Sequence, residues 1–269
     1  MILDETGNLL RVLLGNKAKD ITIERIVVGV FFTGVKLSDG SAGVAYTPTA
    51  DLHKGSRSSV SAAERSAPSP LKGTAVGDIL DAGRGPTLSD LVKLVVMNAL
   101  SSRFITEDRY RLICDADVME LLDPRNLGKI GMVGAIVPFL RRLRGIPGID
   151  LSVIEKKRES LKEEEMRFYV PADQADAVLP ACDAVIITGA AVANGTIDEL
   201  LRQTKTGAKV IVTGPSVSLL PDAFFARGVS IVSGVKVTDA DKALDMLSEG
   251  VEAYHLFKTC VRKINIMKQ

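Results

Sequence analysis

Glycines at the ends of hydrophobic runs are the first residues whose spacing suggests chemistry, because glycine lets a backbone approach a ligand closely. The first such segment is Gly131-Met132-Val133-Gly134, which leads into an apolar helical pattern containing Pro138. Its GxxG spacing differs from the GxGxxG of dinucleotide-binding turns, and a glycine there can simply relieve a steric clash. The segment therefore predicts a ligand-binding turn only in combination with other features.

An acidic residue closes the next hydrophobic run. Glu155 follows Gly131 by 24 positions (155 − 131), near the offset at which dinucleotide-binding domains place the acid that holds a ribose hydroxyl. This spacing predicts a ligand role for Glu155. The alternative stays open that Glu155 only begins the mixed-charge run Lys156–Glu165, which is typical of a solvated loop or helix face.

A loop of small residues follows the third run. Thr196 and Glu199 have the spacing of a capping box, which predicts where a helix begins. The helix start does not account for the whole loop from Gly189 to Thr196, which also carries Asn194 and Gly195. Small residues leave room above a strand, so we predict part of a binding site here.

A fourth small-residue segment, Gly214-Pro215-Ser216, follows the next run. The Ser216 hydroxyl can donate to an anion or cap a turn, whereas Pro215 lacks the N–H that a phosphate cradle uses. No GxSxG motif or other nucleophile–base set accompanies these segments, which argues against a serine hydrolase. The predicted binding residues are Gly131, Gly134, Glu155, Gly189, Asn194, Gly195, Thr196, Gly214, Pro215 and Ser216, and no catalytic residue is assigned.

Alternating apolar runs and helical patterns position these segments, which predicts an α/β fold with a Rossmann-like parallel sheet and helices on both faces. The predicted strands are Lys129–Val133, Leu151–Glu155, Ala184–Thr188, Lys209–Thr213 and Ser230–Ser233. Helices are predicted at Ile136–Leu143, Asp173–Leu179, Ile197–Gln203, Pro221–Arg227 and Asp239–Glu249, with a helical continuation through Val251–Val261 left open.

The first part of the chain has a different pattern, which predicts a smaller α+β domain. It contains a helix over Asp4–Leu14, a hairpin formed by Ile21–Phe32 and Ser41–Tyr46, and a long loop over Thr47–Lys72. A loop of this length is either functional, for example by covering a substrate, or a surface excursion. A further helix begins near Thr87, and we divide the chain into domains 1–84 and 85–269.

Composition excludes several classes of protein. The 269 residues are 46% hydrophobic and 25% charged with a net charge of +1, an ordinary globular balance without a basic field for nucleic acid or a membrane-spanning run. Acids at positions 4 and 5 replace the basic residues of a signal peptide, so we expect a cytoplasmic protein. Three dispersed cysteines and two distant histidines, Cys114, Cys182, Cys260, His53 and His255, argue against a structural zinc site.

The combination of these motifs resembles a family of uncharacterised bacterial and archaeal proteins named for heavy-metal chelation. The residues that carry the resemblance are Gly131-Met132-Val133-Gly134, Val153-Ile154-Glu155, Thr188-Gly189, Asn194–Asp198 and Gly214-Pro215-Ser216. The resemblance implies a domain similar to the enolase N-terminal domain before a Rossmann-like domain, a ligand site between the two, and a homodimer. The sequence itself has no soft-ligand cluster, so chelation would use carboxylates, scattered histidines and cysteines, or a metal already held by a small molecule.

Two functions remain as expectations. One is small-molecule binding in the crevice between the domains, with heavy-metal or metal-chelate handling implied by the resemblance. The other is an enzyme that uses a nucleotide-type cofactor, NAD or S-adenosylmethionine, on a small metabolite. A purely structural module without any ligand is the third alternative.

Overall fold

The computed structural model describes residues 1–49, 71–83, 87–257 and 259–269, apart from the side chains of Thr87 and Ala253. Most of the predicted Thr47–Lys72 loop, including His53, lies outside the described residues. None of the described helices is long and apolar enough to cross a membrane.

The described residues of the first part of the chain combine an antiparallel sheet with α-helices. Its described elements are α1 (Ile2–Leu14), β1 (Ile23–Val28), β2 (Phe32–Leu37), β3 (Ala42–Tyr46), α2 (Val76–Asp81) and α3 (Thr87–Ser101). The strands pair in the order β1-β2-β3. Helix α1 carries Asp4 and Glu5 in its first turn and Arg11 in its last, which complements the helix dipole.

The second part alternates strands and helices. Its described elements are β4 (Arg111–Cys114), α4 (Val118–Leu122), β5 (Lys129–Val133), α5 (Val137–Leu143), β6 (Asp150–Glu155), β7 (Tyr169–Pro171), α6 (Ala175–Val178), β8 (Ala184–Thr188), α7 (Ala190–Ala193), α8 (Ile197–Gln203), β9 (Lys209–Thr213), α9 (Asp222–Phe225), β10 (Val229–Val237), α10 (Ala240–Ser248), α11 (Ala253–Phe257) and β11 (Val261–Met267). Short 3₁₀ turns connect several of them, including Leu179–Ala181 and Pro215–Val217.

Eight strands of the described residues form one mixed sheet, in the order β4-β11-β10-β9-β8-β5-β6-β7. The pairs from β10 to β7 are parallel, whereas β11 pairs antiparallel with both β10 and β4. Counted along the chain, the parallel strands have the order 3-2-1-4-5-6 of a doubly wound dinucleotide-binding fold, with the order reversing between β5 and β8. The structure confirms the predicted α/β class with a mostly parallel sheet.

Separate apolar cores cover the two faces of this sheet. On one face, buried residues of α1, α3 and the small sheet pack with Val185, Ile187 and Val212 in a single core. On the other face, residues of α4 and α5 pack with Ile186 and Ile211. The first part of the chain therefore lies on one face of the large sheet, and its core is continuous with that sheet.

Several predicted elements differ from those observed. The predicted single strand Ile21–Phe32 is broken, because Gly29–Phe31 turns the chain from β1 into β2, which then pairs with β3. A Cβ on Gly29 would lie 2.6 Å from the Leu247 carbonyl oxygen, so the turn fits tightly against α10. Helix α10 ends at Ser248 and does not continue through Val251–Val261; that stretch contains the separate short helix α11, and the unpredicted strand β11 begins at Val261. Strands β4 and β7 were likewise not predicted.

Helix α3 packs mainly on the small sheet. A Cβ on Gly43 of β3 would lie 2.4 Å from the Val95 carbonyl oxygen, which shows how closely β3 and α3 approach. The predicted division at residue 84 places α3 with the second domain. The packing instead associates this helix with the first part of the chain.

Candidate functional site

A row of polar side chains crosses the large sheet where its strands end. Thr188 of β8 pairs in register with Thr213 of β9, which pairs with Ser233 of β10, which pairs with Asn265 of β11. In-register residues of neighbouring strands point to the same face, so the four side chains form a continuous strip, the polar row. Gly134 continues the row beyond β5, because a Cβ there would lie 2.7 Å from Thr188 Cγ2.

Three members of the polar row line a cleft of about 240 Å³ at the carboxyl ends of the parallel strands, here named the strand-exit cleft. Ligands of open α/β sheets bind at this edge. Thr188, Thr213 and Ser233 provide hydroxyls, and no other described residue forms a hydrogen bond with the Thr213 or Ser233 hydroxyl. The apolar part of the lining is Val118, Ile136, Pro138, Phe139, Val235 and Phe257.

Two charged residues line the strand-exit cleft, and their surroundings differ. The Asp117 carboxylate caps α4 by accepting a hydrogen bond from the Met119 N–H at 2.9 Å, and it pairs with Arg142 at 2.5 Å. Lys263 lies on β11 opposite Val235 of β10, and its ammonium is 5.4 Å from the centre of the Phe257 ring. No carboxylate of the described residues forms an ion pair with Lys263.

Asn265 lies at the end of the polar row and is fully buried. Its side-chain amide donates to the carbonyl oxygens of Ala116 at 3.0 Å and Ile113 at 3.3 Å, which fixes the segment between β4 and α4 beside β11. Its Oδ1 has no hydrogen-bond partner among the described residues.

The turn after β5 joins Gly134 to Glu155. Gly134 has φ +90°, and its N–H donates to the Ile154 carbonyl oxygen at 2.9 Å. The Glu155 carboxylate accepts from the N–H groups of Ala135 at 2.9 Å, Lys156 at 2.8 Å and Lys157 at 3.0 Å. The predicted acid thus reaches the predicted glycine turn, but on the side of β5 away from the strand-exit cleft.

Gly189 and Gly214 bring the exits of β8 and β9 together. The Gly189 N–H donates to the Thr213 carbonyl oxygen at 2.6 Å, and a Cβ on Gly189 would lie 3.3 Å from that oxygen. Gly214 has φ +130° and lines the strand-exit cleft together with Pro215. Of the ten predicted binding residues, these last two belong to the described lining of the cleft.

The remaining residues of the third segment face away from the cleft. The Asn194 side-chain oxygen accepts from the Thr196 hydroxyl at 2.7 Å in an exposed turn, and Gly195 has φ +77° with open space around its Cα. The predicted capping box is absent, because Thr196 makes no side-chain cap and Glu199 pairs with Arg202 instead. The predicted small-residue loop also contains the single turn α7.

The buried Ser216 hydroxyl connects the two parts of the chain. Ser216 is 1% exposed, and its hydroxyl accepts a hydrogen bond from the Tyr46 N–H of β3 at 2.8 Å. Nearby, the buried Asn98 of α3 donates to the carbonyl oxygens of Val44 at 2.9 Å and Pro215 at 3.3 Å. The expected crevice between the domains is thus filled by hydrogen-bonded contacts at this point.

Gly131 has a packing role. It lies inside β5, and a Cβ there would lie 3.0 Å from Cys182 Sγ and 3.1 Å from Leu179 Cδ2. Burial raises the pKa of the Cys182 thiol, which disfavours the thiolate that binds metals. Gly131 therefore allows the Leu179–Ala181 turn to pack against the sheet and does not contact the cleft.

Side chains that could ligate a metal ion are not clustered among the described residues. These residues contain no group of three or more His, Cys, Asp or Glu side chains that could hold a metal ion. Cys260 is buried like Cys182, and its burial raises the pKa of its thiol. Cys114 is exposed and stands apart from the other two cysteines.

The sequence motifs did not indicate Ser233, Lys263 or the role of the strand-terminal threonines. A signal for the hydroxyls is present: three hydrophobic runs end in a hydroxyl residue followed by glycine, namely Thr188-Gly189, Thr213-Gly214 and Ser233-Gly234. Lys263 has no comparable signal, because it belongs to a strand that the sequence pattern did not indicate.

Comparison with known proteins assigns the family. Residues 117–266 match a family model described as "Putative heavy-metal chelation", and residues 11–103 match a second model with the same description. The chain belongs to this family. An uncharacterised protein of Methanocaldococcus jannaschii is 32% identical over 130 residues, a match that covers 48% of each chain, so this chain spans about half the length of that relative.

Two solved structures share the fold. A family member of unknown function from Pyrococcus horikoshii has a TM-score of 0.78 at 20% identity, covering 99% of this chain and 100% of its own. A second, from Desulfitobacterium hafniense, has a TM-score of 0.72 at 19% identity, covering 98% and 99%. At this identity the likeness concerns the fold alone.

Proposed function

We propose that this protein binds a small molecule in the strand-exit cleft. The observation that carries the proposal is the polar row: buried strands that are otherwise apolar end together in three hydroxyls that open into one cleft. Polar groups on a buried sheet are unfavourable unless they are hydrogen-bonded, and a ligand would supply the partners. The volume of about 240 Å³ suits a metabolite smaller than a dinucleotide.

The position of the cleft differs from the expected crevice between the domains. Its described lining residues come from 116 to 263, and the face they occupy carries α4 and α5. Most of the first part of the chain packs on the opposite face, and Val44 of β3 shares a smaller core with the lining residue Val235 at the edge of the cleft. We therefore place the ligand on the face of the sheet away from the first domain.

Heavy-metal handling, which the family description suggests, would then take the form of a bound metal chelate. The described residues offer hydroxyls and an ammonium group in the cleft and no cluster of metal-binding side chains. A chelating small molecule would supply the donor atoms to the metal itself. Calorimetry with nickel citrate, citrate and free Ni²⁺ distinguishes binding of a metal chelate from binding of the metal ion by the protein itself. We expect nickel citrate to bind, without comparable binding of free Ni²⁺.

A nucleotide-type cofactor is the second candidate, favoured by one specific observation. The strand order reverses between β5 and β8, and the acid at the end of β6 touches the glycine turn after β5. In dinucleotide-binding domains an acid at this place holds the ribose. NAD or S-adenosylmethionine would then displace the backbone N–H groups from Glu155, and turnover of a metabolite would make the protein an enzyme.

A steric block of the cleft tests the principal proposal. Native mass spectrometry and thermal shifts with NAD, S-adenosylmethionine, nickel citrate and divalent metals identify a ligand, which at 100 times its Kd adds about 2.7 kcal/mol to stability. Ala116→Leu fills the cleft, and Thr213→Val removes one hydroxyl at constant shape. Ala82→Leu, at an exposed position, is the matched control.

The outcome locates the site. Loss of the ligand-induced shift in Ala116→Leu and Thr213→Val, but not in Ala82→Leu, supports the strand-exit cleft. A shift that survives both variants and disappears in Glu155→Ala combined with Gly195→Val contradicts the proposal and favours the nucleotide-type site beyond β6.

The family resemblance also motivates a proposal about assembly and location. We expect a cytoplasmic homodimer without a nucleic-acid partner. Light scattering after size-exclusion chromatography should give twice the chain mass.

A further inference from the structure

Of the two charged residues in the described lining of the strand-exit cleft, the one without an ion-pair partner is positively charged. Lys263 lines the cleft without a carboxylate partner among the described residues, whereas its neighbour Arg262 pairs with Asp115 at 2.5 Å. The Asp117 carboxylate is already engaged by Arg142 and by the Met119 N–H. A ligand entering the cleft therefore meets one free ammonium group and no free carboxylate from these described lining residues.

The polar row supplies hydrogen-bond donors next to this ammonium. The Thr213 and Ser233 hydroxyls have no partner among the described residues and can rotate to donate. Ser233 lies opposite Asn265 of β11. Asn265 is two residues from Lys263 on the same strand, so the side chains of Ser233 and Lys263 point to the same face of the sheet. Ammonium and hydroxyl donors thus converge on one end of the cleft.

The other end of the cleft is apolar. Ile136 and Phe139 come from the turn and helix after β5, whereas Phe257 lies beside the Lys263 ammonium at the polar end. This arrangement suits a molecule with a charged group at one end and a hydrocarbon or ring portion at the other. It disfavours a multiply charged polyanion, for which a single lysine gives too little compensation.

We propose that the strand-exit cleft selects a small molecule with a single anionic group, a carboxylate or a phosphate, that pairs with Lys263 and accepts hydrogen bonds from the Thr213 and Ser233 hydroxyls. This specificity rests on the proposed small-molecule function of the same cleft. Lysine is a strongly hydrated point charge, so the pairing tolerates either anion geometry. Phosphate and carboxylate probes distinguish the two.

Charge removal at constant length tests this pairing. Benzoate and inorganic phosphate are titrated by calorimetry into the parent, Lys263→Met and Lys236→Met proteins. Lys236 is an exposed lysine of the neighbouring strand β10 outside the described cleft lining, and it serves as the matched control. We expect at least one probe to bind the parent, with a Kd raised about tenfold or more in Lys263→Met and unchanged in Lys236→Met.

Salt dependence separates charge pairing from a structural effect of the substitution. Raising NaCl from 50 to 500 mM should weaken probe binding to the parent and to Lys236→Met, because salt screens an exposed ion pair. The residual binding of the probes to Lys263→Met should weaken less as the NaCl concentration rises. Preference for benzoate assigns a carboxylate ligand, and preference for phosphate assigns a phosphate ester.

Two results would overturn the proposal. One is equal affinity of the probes for the parent and Lys263→Met. The other is binding of neutral benzamide, but of neither anion, to the parent. If Ala116→Leu still abolishes benzamide binding, the cleft remains a small-molecule site and only the anion specificity fails; if Ala116→Leu leaves all probe binding unchanged, the proposed function fails as well.

Discussion

At the scale of single residues, the glycines of this chain have different physical roles that their spacing does not reveal. Gly131 makes room for Cys182 and Leu179, Gly134 combines a positive φ with contact to Thr188, and Gly195 adopts a positive φ in open space. Only Gly214 of the predicted glycines belongs to the described cleft lining. A glycine after a strand therefore indicates close packing or a turn as readily as a ligand.

Gly134→Ala should destabilise the protein strongly. Its φ of +90° is costly for alanine, and the new Cβ would lie 2.7 Å from Thr188 Cγ2. We expect a loss of roughly 2–4 kcal/mol in the free energy of unfolding, from backbone strain and overpacking together. Urea denaturation measures this loss.

The matched control is Gly207→Ala, which has nearly the same φ, +85°, with open space around its Cα. It should lose only the strain contribution, and Thr188→Ser should recover part of the additional loss in Gly134→Ala. Equal losses at positions 134 and 207 would show that the contact with Thr188 is unimportant.

At the scale of elements, the turn after β9 joins the small sheet to the large one. Its Ser216 hydroxyl accepts the Tyr46 N–H, and its Pro215 carbonyl oxygen accepts the Asn98 amide. The sequence leaves two roles open for the Ser216 hydroxyl, donation to an anion and capping of a turn. The contact with Tyr46 could not be predicted from the local pattern, because β3 and α3 lie more than 100 residues away in the chain.

Ser216→Ala should leave the Tyr46 N–H without an acceptor in a buried position. We expect a loss of about 1–3 kcal/mol in the free energy of unfolding. Ser38→Ala is the control, since Ser38 accepts a backbone N–H from Thr22 at 3.0 Å at an exposed site where water can replace the bond. A loss at Ser216 no larger than that at Ser38 would contradict the structural role.

At the scale of the whole molecule, ion pairs connect the start of the chain to the large sheet's helices. Arg227, after α9, pairs with Glu5 of α1 at 2.6 Å and with Asp198 of α8 at 3.2 Å, and Asp198 also accepts the Ile2 N–H at 3.1 Å. The Arg227 guanidinium lowers the pKa of Glu5 to about 2. A carboxyl with a lowered folded-state pKa stabilises the fold above its unfolded pKa, near 4.5, and loses that contribution as the pH falls toward 2.

Glu5→Gln should therefore reduce stability at pH 7 and have little effect near pH 2. Because Glu5 is half exposed, solvent screening limits the loss at pH 7 to about 1 kcal/mol or less. Urea denaturation of both proteins between pH 2 and 7 gives the difference. Glu159→Gln, at an exposed position without an ion pair to another described residue, should show no such dependence; a constant difference for Glu5→Gln would contradict the linkage.

Much of the second half of the fold could be predicted from local sequence patterns. Lys129–Val133, Ala184–Thr188, Lys209–Thr213 and Ile197–Gln203 have the bounds that their patterns predicted. The three strands are mostly buried on both faces, and the helix buries apolar residues on one face, so local hydrophobicity specifies these segments. Their alternation in turn specifies a parallel sheet with helices on both faces.

Which strand ends form the cleft depends on contacts between distant segments and could not be predicted from local patterns. The polar row depends on the register between β8, β9, β10 and β11. Its charged neighbour Lys263 lies on β11, whose irregular alternation of exposed and buried residues did not indicate a strand in the sequence. Strand β11 pairs antiparallel with β10 and β4, unlike the parallel strands of the rest of the sheet. Its partner β4 lies far from it in the sequence. Hydrophobic periodicity is a local property, whereas register and the burial of Ser216 arise from contacts between distant segments, so the fold class followed from the sequence and the site did not.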